Sequence, residues 1–169
     1  MWKWLWITVL VLALDLWTKA LVSSSLSLQE VIPVFSGFNL VLYHNHGAAF
    51  SFLSDAGGWQ RWFFTAISSV ISVFLFLWLL RLKHRQILLS IAICFVLGGA
   101  LGNLYDRITL GYVVDFLEFY VMDYYWPAFN IADSAVFIGA SLFALDIFKE
   151  HQRHQRNIAG TEKSPGVDA

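Results

Sequence analysis

Cysteine and charge are the two things this sequence has least of. The single cysteine, Cys94, excludes an internal disulfide and a multi-cysteine zinc site. Charged residues make up 14% of the 169 residues and the formal net charge is -1, so no basic face is available to neutralise phosphates. That excludes nucleic acid as a partner. Histidine is no better placed: His44 and His46 lie together outside the apolar runs, and two imidazoles without an adjacent Glu or a third donor do not make a zinc site. Gly98, Gly99 and Gly102 are not followed by Lys-Ser or Lys-Thr, so they suit close helix approach and not phosphate cradling. No metal site is expected.

What the chain has in excess is apolar sequence. Its hydrophobic share of 58% exceeds that of ordinary soluble domains, and the mean hydropathy is positive. A membrane protein follows, organised as one domain over residues 1–158 with a disordered tail at 159–169. Four spans are predicted, at about residues 4–22, 62–80, 87–105 and 129–148, each long enough as a helix to cross a bilayer core of about 30 Å. The first is interrupted by Asp15 and Lys19, which argues for a retained span and against a cleaved leader. Residues 23–61 are polar enough to leave the membrane, and the stretches 32–35 and 38–43 are β-prone, so a small strand-containing piece should lie against the bilayer. Many of the eight Trp fall near the ends of apolar runs, where they anchor in the headgroup region.

Orientation follows from the basic residues. Lys3, Arg81, Lys83, Arg85, Lys149, Arg153, Arg156 and Lys163 fall on one side of a four-span arrangement, leaving Lys19, Arg61 and Arg107 at the other. Both termini are then cytoplasmic, and the loops carrying Asn45 and Asp115 face outward.

Asp115 and Asp133 sit in apolar sequence on either side of one short loop, with no Lys or Arg within several residues of either. Acids are costly in such surroundings, so each marks a candidate site. Hydrolysing a peptide bond with acids alone needs one carboxylate to take a proton from water and a second, protonated, to donate to the carbonyl oxygen. Two close carboxyls share one proton and titrate as a unit. A turn or helix cap is the plainer role for Asp115, and a first-turn dipole partner for Asp133. Asp106, beside Arg107, is expected to be held ionised and structural. Asn130 and Asp133 share a helix face at i, i+3, as do Asn103 and Arg107 at i, i+4, either to orient groups in a site or to join helices. Asp15 and Lys19, also i, i+4, are expected to neutralise each other. Ser23, Ser24 and Ser25 near Lys19 suit a polar linker better than a serine-lysine hydrolase.

The blocks Asp15 with Thr18-Lys19, Asn45-His46-Gly47-Ala48-Ala49-Phe50, Gly98 through Arg107, Val113-Val114-Asp115-Phe116 and Phe129-Asn130-Ile131-Ala132-Asp133 resemble, in order and spacing, those of the bacterial lipoprotein signal peptidases, or signal peptidase II. The resemblance implies an aspartyl endopeptidase of the inner membrane that removes signal peptides from lipid-modified prolipoproteins just before a diacylglyceryl-modified cysteine. It implies four membrane helices with a small extracytoplasmic β-sheet piece and a short outer helix, and no cofactor. It assigns catalysis to Asp115 and Asp133 at the periplasmic face, and substrate-binding or supporting roles to Asp15, Lys19, Asn45, Gly47, Asn103, Arg107 and Asn130. A monomer in contact with membrane lipids is expected. The rivals are a proton-coupled carrier, which should show repeated halves and broken helices with polar sites near mid-membrane, whereas the sequence shows no repeat and its acids gather toward one side, and a non-enzymatic assembly factor.

Overall fold

The computed structural model describes residues 2–47 and 58–162. A 3-10 turn at Trp2–Trp4 leads into α1 (Leu5–Ser25), then come β1 (Val31–Phe35), β2 (Phe38–Asn45), α2 (Trp59–Arg81), α3 (Ile87–Thr109), β3 (Val113–Val121), β4 (Tyr124–Tyr125) and α4 (Ile131–Glu162). Among the described residues, four helices are long and apolar enough to cross a membrane. They correspond to the four expected spans. The largest differences are the length of α4, whose backbone stays helical through Glu162 and so into the segment expected to be disordered, and the end of α3, four residues later than expected; α2 starts three residues early and α1 ends three residues late. The expected short outer helix does not occur among the described residues of the 23–61 segment; residues 48–57, including Ala48, Ala49 and Phe50 of the second motif block, lie outside them.

The helices bury one stripe each. In α1 the buried positions are Ile7, Thr8, Val11, Asp15, Lys19 and Val22, which from Thr8 onward advance by three or four residues and so share a single face. The remaining faces of the bundle expose large apolar side chains such as Val9, Val70, Phe74 and Phe137, which suits lipid and not water. α3 is the hub, packed against each of the other three helices. Its glycines explain why: a Cβ on Gly99 would collide with the backbone oxygen of Ala132, and one on Gly102 with the carboxylate of Asp15. Only glycine lets α4 and the Asp15 side chain come so near.

The outer element is a four-stranded antiparallel sheet in the order β1-β2-β3-β4. β1 and β2 fall where the sequence is β-prone. β3 does not match expectation: Asp115 was placed on a loop, and it lies instead on a strand whose partners in β2 are Tyr43 for Asp115, His44 for Val114 and Asn45 for Val113. The strand escaped notice because its pairing spans some seventy residues of sequence, and β-propensity reads cross-strand context more than local composition. The segment ahead of α4 is joined to the same strand. Phe116 and Leu117 both donate their N–H to the Phe129 oxygen, at 3.0 and 2.8 Å, and Phe129 donates back to the Leu117 oxygen at 2.9 Å. This clamp brings the N-terminus of α4 beside the middle of β3.

Candidate active site

Asn130 is the residue that turns the chain from the clamp into α4. Its side-chain oxygen accepts the N–H of Asp133 at 2.9 Å, and Asp133 Oδ2 accepts the N–H of Asn130 at 3.3 Å. This is a reciprocal capping box in which Asn and Asp take the usual Ser/Thr and Glu positions. The first-turn role considered for Asp133 from sequence is therefore real, and it leaves Oδ1 pointing elsewhere: that oxygen accepts an N–H from the Asn103 amide at 2.7 Å.

Asp115 is reached from the opposite side of the same asparagine. Asn130 Nδ2 donates to Asp115 Oδ1 at 2.8 Å, and Asn45 Nδ2 donates to Asp115 Oδ2 at 2.9 Å. Asn45 is itself oriented by the Gly47 N–H, which its side-chain oxygen accepts at 3.0 Å. Asp115 is 3% exposed. Burial, and next the negative charge of Asp133, push its carboxyl up to about 7, against the opposing pull of the Asn45 and Asn130 amides. Both carboxylates line one cleft of about 1280 Å³, which also takes in Asn45, Asn103 and Arg107 and continues down α4 along Val136, Phe137 and Ala140.

Beneath the pair lies a charged cluster of different character. Lys19, 3% exposed, donates a hydrogen bond to Asn103 Oδ1 (2.9 Å), and its ammonium forms ion pairs with Asp15 (2.7 Å) and Asp106 (3.0 Å). Each acid then holds one backbone N–H: Asp15 that of Ala132 at 2.8 Å, and Asp106 that of Val114 at 3.1 Å. Ala132 precedes Asp133 and Val114 precedes Asp115, so each structural acid grips the residue just before one candidate acid.

Sequence reasoning anticipated the Asp15–Lys19 pair but assigned Asp106 the wrong partner. Arg107, its neighbour in sequence, points away, since adjacent helix positions do not share a face. Arg107 instead donates to the Gly47 oxygen at 3.2 Å and sits over the Phe64 ring, and Lys19 takes Asp106. The signal that could have placed Asp106 was its i, i+3 spacing from Asn103. All nine sequence-derived candidates are joined by this network, directly or through one residue. Asn39 and Glu118, a buried pair at the far end of the cleft, were missed. Among the described residues no group of three or more His, Cys, Asp or Glu side chains is arranged to hold a metal ion.

The family model for Signal peptidase (SPase) II matches residues 7–149. The lipoprotein signal peptidase of Alteromonas mediterranea is 52% identical over 99% of this chain and 92% of its own length, and that of Pseudomonas aeruginosa is 52% identical over 86% and 88%. Two solved structures, both titled as bacterial membrane enzymes determined by the in meso method, superpose with TM-scores of 0.80 and 0.77 at 28% and 30% identity. They cover 99% and 88% of this chain and 96% and 94% of their own. Matched across most of its length by the family model and by relatives about half identical to it, the chain is a multi-pass membrane peptidase that belongs to the signal peptidase II family, whose members are aspartic-type.

Proposed function

We propose that this protein cleaves signal peptides from lipid-modified prolipoproteins just before the diacylglyceryl-modified cysteine, with Asp115 and Asp133 as the catalytic pair. The observation that carries this reading is that two carboxylates, attached to one backbone clamp and contacted by neutral amides, face a single cleft that runs from the sheet along α4 to Ala140.

The pair holds one proton, because two buried carboxyls in electrostatic contact cannot both ionise cheaply. A water between them gives its proton to the ionised carboxylate and attacks the scissile carbonyl carbon, while the protonated partner donates to the carbonyl oxygen. The tetrahedral diol then collapses. Its C–N bond breaks, the amine takes a proton from one carboxyl and a hydroxyl proton returns to the other, so the pair ends with the single proton it began with. Asn45, Asn103 and Asn130 fix the orientation of both acids without adding charge. The lipid chains would lie along the apolar part of the cleft, fixing the scissile bond at one depth, so that much of the rate comes from positioning.

The protein sits in the bacterial inner membrane as a monomer with both termini cytoplasmic and the cleft at the periplasmic face. The three basic residues on that side favour this orientation, because each is tied internally and none is left to face the outer surface. Lys19 is neutralised by its two acids, Arg61 donates to the Arg107 and Ile108 oxygens at 2.8 and 2.6 Å, and Arg107 holds Gly47.

The test uses purified wild type, Asp115→Asn and Asp133→Asn with a diacylglyceryl-modified precursor, products being identified by mass spectrometry. Wild type should release the signal peptide at the bond before the modified cysteine. Each variant should fall by at least about 10³-fold in kcat/KM while keeping the wild-type circular dichroism. Cleavage at the wild-type rate by either variant refutes the assignment.

A further inference from the structure

The cleft holds a third acid that the chemistry above does not use. Glu118 lies on β3, three residues beyond Asp115, and lines the same cavity. It is 7% exposed, and one of its carboxylate oxygens accepts an N–H from the Asn39 amide at 3.0 Å, Asn39 being only 5% exposed itself. The ion pairs among the described residues are the two made by Lys19, and neither involves Glu118. Residues 48–57, outside the described set, contain no Lys, Arg or His by sequence. Glu118 is thus a buried carboxylate, braced by a neutral amide, that faces the cleft and has no ion-pair partner among the described residues. Such a group carries a desolvation cost that an incoming cation or N–H donor would offset. The neighbourhood is negative enough to be felt locally: burial, and next the charge of Glu118, push the Tyr43 hydroxyl above its usual range.

Position along the cleft decides which part of a substrate could meet this acid. At about 3.3 Å per residue, Glu118 is on the order of 10 Å from Asp115 along β3, the length of three residues of extended peptide. β3 runs from the end of α3 toward the hairpin with β4, away from the part of α4 where Val136, Phe137 and Ala140 line the apolar end. Signal-peptide core and lipid chains belong at that apolar end. The polypeptide that follows the scissile bond is what remains for the other.

We propose that Glu118, flanked by Tyr43 and Tyr125, forms a subsite for the third residue after the scissile bond, favouring a basic side chain there and disfavouring an acidic one. The subsite rests on the peptidase reading and adds to it a determinant of which precursors are processed fastest.

The test compares diacylglyceryl-modified precursors identical except for Lys, Gln or Glu at that position, counting the modified cysteine as one. Wild type should prefer Lys over Glu by about tenfold in kcat/KM, chiefly through KM; Glu118→Gln should compress that ratio to within about twofold, and Glu118→Lys should reverse it. An equal ratio in wild type and Glu118→Gln overturns the subsite while leaving the peptidase assignment standing. Should the variants fold poorly, wild type alone decides: a Lys walked through residues two to five should give its highest kcat/KM at three, and a flat profile overturns the proposal. Failure of wild type to cut any of these precursors overturns the peptidase reading, and the subsite with it.

Discussion

Four aspartates are gathered within a short distance in this bundle, and they form two pairs with opposite partners. Asp15 and Asp106 share a full ammonium, that of Lys19. Asp115 and Asp133 receive side-chain hydrogen bonds from the amides of Asn45, Asn130 and Asn103. Lys19 gives its two acids a countercharge; a carboxamide supplies a donor without one, so Asp115 keeps a negative charge only at a cost, and burial with the nearby charge of Asp133 pushes its carboxyl up to about 7. The same side chain is thus countercharged in one pair and bonded to neutral amides in the other.

Breaking the cation side should have the largest effect. Lys19→Met leaves two buried carboxylates without a countercharge and should destabilise the protein by about 3–5 kcal/mol, read as a fall in Tm in detergent. The triple variant Lys19→Met, Asp15→Asn, Asp106→Asn, which removes all three charges, should recover much of that loss. Failure to recover would mean that the cluster acts through geometry and not through charge.

The amide side is sharpened by pH. The folded Asp115 carboxyl is raised to about 7, whereas the unfolded value is about 3.9. Folded protein therefore binds the proton more tightly, and stability is full below pH of about 4, then declines as pH rises to about 7. The decline attributable to this group is roughly 4 kcal/mol at most, from about three pK units at 1.36 kcal/mol each. Asp115→Asn, which cannot ionise, should flatten that slope in Tm-against-pH measurements; an unchanged slope would show that Asp115 is ordinary. Activity has the same sign. As the shared proton is lost above about pH 7, kcat/KM should fall by up to tenfold per pH unit on the alkaline limb, measured with one precursor across buffers.

The spans were legible because run length and apolarity suffice to identify a membrane helix, and the candidate acids were legible because charge in such surroundings is expensive. What escaped was everything that depends on contact between distant segments. β3 pairs with β2 across the whole length of α2 and α3, so its residues read as a loop. Asp106 lies beside Arg107 in sequence, yet its cation comes from α1. Glu118 and Asn39 meet only once the sheet is formed, and neither belongs to a motif block.

The smallest of the expected effects concerns the residue that links the two pairs. Asn130 Nδ2 lies within hydrogen-bonding reach of Asp115 Oδ1, the Val114 oxygen and Asn103 Oδ1, and its own Oδ1 caps α4. Asn130→Ser preserves the cap but cannot span the acids, so it should cost about 1 kcal/mol in stability. Its larger mark should be on the pH profile, where the two limbs of kcat/KM move apart or together as the coupling between the acids changes.

The clamp between Phe129 and β3 also bears on how the enzyme tolerates different bilayers. A transmembrane helix meets a thinner or thicker membrane by tilting, and a pair of groups on two independently tilting helices would drift out of register. Here one member of the pair is on a strand and the other is in the first turn of a helix whose lead-in is hydrogen-bonded to that strand, so the spacing is set by a short stretch of chain folded back on itself. A lean of the lower part of α4 with the lipid would then leave the separation of Asp115 and Asp133 unchanged, whatever the membrane thickness.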